Sequence, residues 1–326
     1  EASGNMTFQG SEFKTNKAVS SAGAVNIQAS SGNMAFLHSN FMSNEAGSVG
    51  GGVVIVKASG NMTFQGSEFK SNKAVVDGGA VEISGSSGNM AFLHSNFMSN
   101  EAGSIGGGVM ILESSGNMTF QSSEFKTNRA LRSGGAVNIQ ASSGNMTFLH
   151  SGFQMNKAVV DGGAVKISGS SGNMTFANSE FSLNEAGSIG GGVIILKASG
   201  NMTFKDSEFK SNKAVVDGGA VEISGSSGSM AFLHSNFMSN QAGSIGGGVM
   251  VFKASGNMRF KDSEFKSNKA ASQGGAVAIW ESFGNMILVD SEFMSNEAGF
   301  GGAIVGRSSG NFLFENSMFE DNQEIG

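Results

Sequence analysis

The tripeptide Ser-Gly-Asn begins at Ser3, Ser31, Ser59, Ser87, Ser115, Ser143, Ser171 and Ser199, always 28 residues apart. The frame runs on through Ser227, Ser255, Phe283 and Ser309, with one interval of 26 before the last, a two-residue deletion. The copies are close: SEFKSNKAVVDGGAVEIS occupies 67–84 and returns unchanged at 207–224. The 326 residues therefore hold eleven full units and a partial twelfth. No linker or shift of composition interrupts them, so residues 1–326 read as a single domain. Its start on Glu1, near a unit boundary, reads as a segment of a longer chain.

Each unit carries two short apolar patterns. One places Met62, Phe64 and Phe69 as Met-x-Phe-x-x-x-x-Phe; the other places Val81 and Ile83 after Gly78 and Gly79. Alternation at period two in stretches this short and Gly-rich predicts strands. The copies show which way side chains face. The Thr63 position also carries Ala35, Arg259 or Ile287 and faces out, while Met62 and Phe64 face in. The Glu82 position carries Asn26, Val54, Lys166 or Ala278 and also faces out. A 28-residue unit of this kind cannot bury its apolar face alone, whereas stacked copies can, each strand pairing with its counterpart one coil away. The expected fold is all-β, a parallel β-helix (β-solenoid) of about twelve coils. At ~4.8 Å per coil the rod is roughly 55–60 Å long. Pro is absent, as expected where most backbone N–H groups are committed to ladders, and the absence of Cys excludes disulfides and thiolate metal sites. Handedness does not follow from the period.

Phe69-x-x-Asn72 paired with Gly78-Gly79-Ala80-Val81, repeated along the whole chain, resembles the repeats of chlamydial polymorphic membrane proteins and related surface proteins. The resemblance implies a right-handed parallel β-helix and an adhesin-like role at the cell surface.

Two columns run through the units. Asn16, Asn44, Asn72, Asn100, Asn128, Asn156, Asn184, Asn212, Asn240, Asn268, Asn296 and Asn322 form an unbroken series at a turn. It is expected to be an inward amide ladder whose Asn tolerates an unusual backbone angle. The next residue reads Lys17, Glu45, Lys73, Glu101, Arg129, Lys157, Glu185, Lys213, Gln241, Lys269 and Glu297. Opposite charges on neighbouring coils attract and penalise slipped registers, with a hitch where Arg129 meets Lys157. The outward positions after the Gly run are polar in some coils, as in Glu82 and Ser84. They are apolar in others: Val54 and Val56, Met110 and Leu112, Ile194 and Leu196, Met250 and Phe252. Strands apolar on both faces are covered on both, so this face is expected to pack laterally on another rod or layer.

Strict repetition works against an active site. His38, His94, His150 and His234 share one column two or three coils apart, roughly 10–14 Å between neighbours, too far for a shared metal. Asp77, Asp161 and Asp217 fail as a calcium cluster for the same reason. The weak metal candidate is Asp262 with Asp290, in the neighbourhood of Glu264, Glu292 and Asn316. A net charge of −6 gives no footprint for nucleic acid, and no apolar run is long enough to span a membrane. Interruption of the Thr7 column by Ala35, Ala91 and Arg259 spoils an ice-matching face. Asn-Met-Thr sequons at Asn5, Asn61, Asn117, Asn145, Asn173 and Asn201 read as part of the repeat consensus.

The resulting expectation is an extracellular or cell-surface structural or adhesive rod, not an enzyme, without cofactor. Its partners would be further copies or another structural protein, a surface receptor or a glycan. The alternative is a carbohydrate-binding or carbohydrate-cleaving parallel β-helix.

Overall fold

The structure is a computed structural model that describes residues 4–325. Each full coil contributes four short strands, as in coil three: Met62–Gln65, Glu68–Lys70, Lys73–Ala74 and Val81–Ser84. Every strand pairs in parallel with its counterparts in the coils above and below. The result is four sheets, here A to D in that order, three of twelve strands and one of eleven. Register is constant, Phe64 facing Phe92 and Lys73 facing Glu101, for instance.

The two-residue deletion is absorbed in two places. Gln273 bridges Phe300, so one residue has gone from the turn before sheet D. A register shift between Trp280 and Ser282 takes up the other.

The core is a set of columns. Phe rings from sheet A stack from Phe8 to Phe260, as Phe64 on Phe92 at 4.8 Å, and those from sheet B stack from Phe13 to Phe319, as Phe69 on Phe97 at 4.7 Å. The two stacks meet edge to face, with 5.8 Å between the centroids of Phe64 and Phe69. Both arrangements are favoured by the ring quadrupole. Leu288 interrupts the first stack near its end. Met62, Val81 and Ile83 fill the remaining space and are fully buried.

Corners are made by left-handed residues, among them Ser71 (φ 55°) and Gly78 (φ 63°) in coil three. The Gly after it, Gly79, is required for another reason: a Cβ there would run into the carbonyl of Gly107 in the next coil. These glycines set how closely the coils approach.

Candidate functional site

The Asn column lies inside the wall at the corner between sheets B and C. Asn72 Nδ2 donates to Asn100 Oδ1 at 3.0 Å and to the Phe41 carbonyl at 2.9 Å. Its Oδ1 accepts from Asn44 Nδ2 and from the Asn44 backbone N–H. The left-handed angle, however, belongs to the residue before it, Ser71 in coil three and Thr15 in coil one. Asn supplies the hydrogen bonds and its neighbour supplies the bend. A second ladder escaped the sequence reading although its signal is an equally unbroken column. The backbone N–H of Ser67 donates to Ser95 Oγ at 3.2 Å, while Ser67 Oγ donates to the Phe36 carbonyl at 3.0 Å. A third series, on the exposed side, involves the sequon residues: Asn61 Oδ1 accepts the Asn89 N–H at 3.0 Å.

The lateral face is corrected. Val54, Met110, Ile194 and Met250 are no more than 3% exposed within one chain. Their cover is the turn that leads into the same strand. A Cβ on Gly190 would lie 2.7 Å from Ile194 Cβ, and one on Gly246 would lie 2.9 Å from Met250 Cβ. The outward side chain thus lies beneath its own coil's turn. This explains the alternation: the turn residue five positions earlier matches it, Ile189 with Ile194, Ile245 with Met250, Ser133 with Asn138, Asp161 with Lys166. Val56, Leu112, Leu196 and Phe252 remain half-buried, and Lys253 Nζ lies 4.8 Å over the Phe252 ring. The exposed valines are on the turn itself, at Val19, Val75, Val76, Val159, Val160, Val215 and Val216.

The charge column resolves into ion pairs that each run one coil forward: Lys17–Glu45, Lys73–Glu101, Lys157–Glu185 and Lys269–Glu297, at 2.8, 3.5, 2.7 and 2.8 Å. His38, His94, His150 and His234 all occupy a left-handed corner, φ 47–49°, a conformation His tolerates better than most residues. Asp262 and Asp290 stand in the same column, with Asp262 Oδ2 3.4 Å from Lys261 Nζ and 3.6 Å from His234 Nδ1. Glu264 pairs in register with Glu292 on sheet B, and Asn316 takes the corner above Asp290. Among the described residues no three His, Cys, Asp or Glu side chains come together in a way that could hold a metal. Asp77 and Asp217 each accept a backbone N–H, from Ile105 at 3.0 Å and Ile245 at 2.9 Å.

The place where different groups do converge is the outside of coils five to nine. Gly152 takes a position held elsewhere mostly by Glu or Asn, and a Cβ there would meet nothing. It lies in register between Glu124 and Glu180. One coil further, Ser182 replaces the usual Lys or Met. The missing side chains open a notch of about 430 Å³ lined by Glu124, Lys126, His150, Gln154, Glu180 and Ser182. Around the corner a groove of about 500 Å³ runs past Met155, Leu183, Lys157, Glu185, Lys213 and Gln241. Met155 and Leu183 are the unexpected members. Their corner is Ser or Thr in almost every other coil, yet they are 39% and 49% exposed at φ 54° and 56°. These bulky apolar side chains stand at an exposed left-handed corner and lie outside the buried core.

A model of the right-handed beta helix region family matches residues 94–265, more than half of the chain. No curated protein matches the sequence. Among solved structures, the chain is similar to the catalytic domain of GH87 alpha-1,3-glucanase in complex with nigerose. Identity is 8%, the match covers 97% of this chain and 60% of that one, and the TM-score is 0.38. The chain thus spans under two thirds of that structure. The expectation that the chain is not an enzyme is withdrawn: it rested on regular coiling, and a fold does not by itself decide between a structural and a catalytic role.

Proposed function

Because this chain belongs to the family of right-handed β-helix regions, we propose that it is a rod, at the cell surface or outside the cell, that holds carbohydrate in the notch and groove over coils five to nine. The observation that carries the reading is the clustering of departures from the repeat. Gly152, Gln154, Met155, Ser182 and Leu183 fall within two neighbouring coils and line a notch and a groove on either side of one corner. Their combined lining is amphipathic in the way a sugar ring is. Met155 and Leu183 offer an apolar patch for C–H faces, and Glu124, Gln154, Glu180 and His150 offer hydrogen-bonding groups for hydroxyls. The stacked core makes the platform rigid, so little ordering is needed when a ligand binds. The surface location is supported by the resemblance of Phe69-x-x-Asn72 and Gly78-Gly79-Ala80-Val81 to surface-protein repeats.

The test is a glycan array probed with the wild-type chain and with Gly152→Glu, which restores the usual side chain and refills the notch. Binding to a defined set of glycans that falls at least about tenfold, ~1.4 kcal/mol, in the variant supports the reading. Binding unaffected by Gly152→Glu, or no binding at all, overturns it. Release of new reducing ends from a bound glycan would make the groove an active site.

A further inference from the structure

We propose that in coils three and eight the outward Glu of sheet D holds a proton beneath the turn that carries the Asp, so that pH holds or releases that turn. The repeat supplies its own comparison. In coil six Lys166 Nζ lies 3.1 Å from Asp161 Oδ2 and 3.2 Å from Ser133 Oγ, with both side chains of the ion pair largely shielded. Coils three and eight carry the same Asp-Gly-Gly-Ala-Val turn, but Glu82 and Glu222 stand where coil six has Lys. A salt bridge is thereby replaced by two carboxyls, Asp77 with Glu82 and Asp217 with Glu222.

The turn presses directly on these glutamates. A Cβ on Gly218 would lie 2.8 Å from Glu222 Cβ, and one on Gly78 would lie 3.0 Å from Glu82 Cβ. Glu222 is 5% exposed, and one carboxyl oxygen of each Glu is buried without a hydrogen-bond partner. Neighbouring coils bring no compensating charge. Glu82 lies between Val49 and Val54 below and Ile105 and Met110 above; Glu222 lies between Ile189 and Ile194 below and Ile245 and Met250 above. The remaining charges that bear on Glu222 are Asp217 and, two coils away, Asp161, which Lys166 already pairs. A metal ion is a poor occupant, because one Asp oxygen already accepts a backbone N–H and the walls are aliphatic. A proton needs only the buried Glu carboxyl.

Burial first, and then the nearby Asp charge, push Glu82 up to about 7 and Glu222 up to about 8 from 4.5. The folded protein thus keeps a proton that the unfolded chain gives up near 4.5. The contribution to stability is full below that value and is lost as pH rises through about 7 for Glu82 and about 8 for Glu222. Above that, repulsion between the carboxylates lifts the turn carrying Val75 and Val215.

Hydrogen exchange on the whole chain, corrected for intrinsic rates, tests this within one molecule. The amides of Gly78 and Gly218 are hydrogen-bonded to Ile105 and Ile245, and that of Gly162 in coil six to Ile189. Between pH 5 and pH 9 the protection of Gly78 and Gly218 should fall by at least about tenfold relative to Gly162, since one unit of pKa displacement is a factor of ten. Glu82→Gln with Glu222→Gln should abolish the difference, and so should Glu222→Lys at Gly218, which copies coil six. Protection in coils three and eight that tracks coil six, or a difference that survives in the Gln variants, overturns the proposal.

Discussion

Coils three and six share one frame and differ in what they show to solvent. Both bury Phe, Met, Val and Ile columns completely and both carry the Asn amide at the same corner. Coil three presents Glu68, Lys70 and Ser71 on its outer face; coil six presents Gly152, Gln154 and Met155. Inside, every residue must match a copy 4.7–4.8 Å above it, so substitution there is felt in three coils at once. Outside, a single substitution alters one rung and leaves the stack unchanged. A solenoid can therefore keep its core nearly invariant and acquire a site by changing a few outward residues in neighbouring coils.

The largest effect should come where the two coils are alike. Removing the amide with Asn72→Ala leaves the Asn44 backbone N–H and the Phe41 carbonyl without their bonds, and Asn156→Ala does the same to Asn128 and Phe125. At ~1–3 kcal/mol for each buried group left unpaired, each variant should lose about 2–6 kcal/mol. Urea unfolding of both checks it. Equal losses sharpen the comparison; a markedly smaller loss for Asn156→Ala would break it, because the irregular coil would then be loosely held.

How much of this was legible in the sequence follows from the same division. The period, the strands and the inward facing of Met62, Phe64 and Phe69 could be read because stacking forces identical demands on every copy. The Asn column was readable for that reason, and the Ser column through Ser67 and Ser95 could have been. The fate of Val54 and Met110 was not. Alternation shows that a residue faces away from the core, but a Gly turn folding back over a residue a few positions later leaves no mark at period two. The match between turn residue and strand residue, Ile189 with Ile194 or Asp161 with Lys166, was the available signal. Gly152 and Leu183 were visible as departures from their columns, but only the structure shows the notch and the groove they line.

A middle-sized effect separates binding from stability. Leu183→Ser and Met155→Ser return the corner to its usual residue, and exposed substitutions of this kind move stability by no more than ~0.5 kcal/mol. Glycan binding should nevertheless fall severalfold in each variant, as read by calorimetry on the best array ligand. The reciprocal change, Ser71→Leu in coil three, should leave stability equally unmoved and create no binding, since Glu68 and Lys70 keep the neighbouring surface filled. Binding gained by that variant would show that any exposed apolar corner suffices, and the distinction between the coils would lose its meaning.

The smallest effect concerns the charge column. Lys73 lies in register between Glu45 and Glu101, with an opposite charge on each side. Lys157 faces Glu185 on one side and Arg129 on the other. Its ion pair is the shorter, 2.7 Å against 3.5 Å, yet its carboxylate partner is 53% exposed and water screens it. Losing Lys157 also relieves its repulsion with Arg129. Lys157→Ala should therefore cost less than Lys73→Ala, both within ~1 kcal/mol and both shrinking in high salt. Double-mutant cycles with Glu185 and Glu101 isolate the pair energies from lost packing of the alkyl stems. A Lys157 cost as large as that of Lys73 would mean that contact distance, and not the sum over both neighbours, governs the column, and the hitch at Arg129 would then carry no energetic penalty.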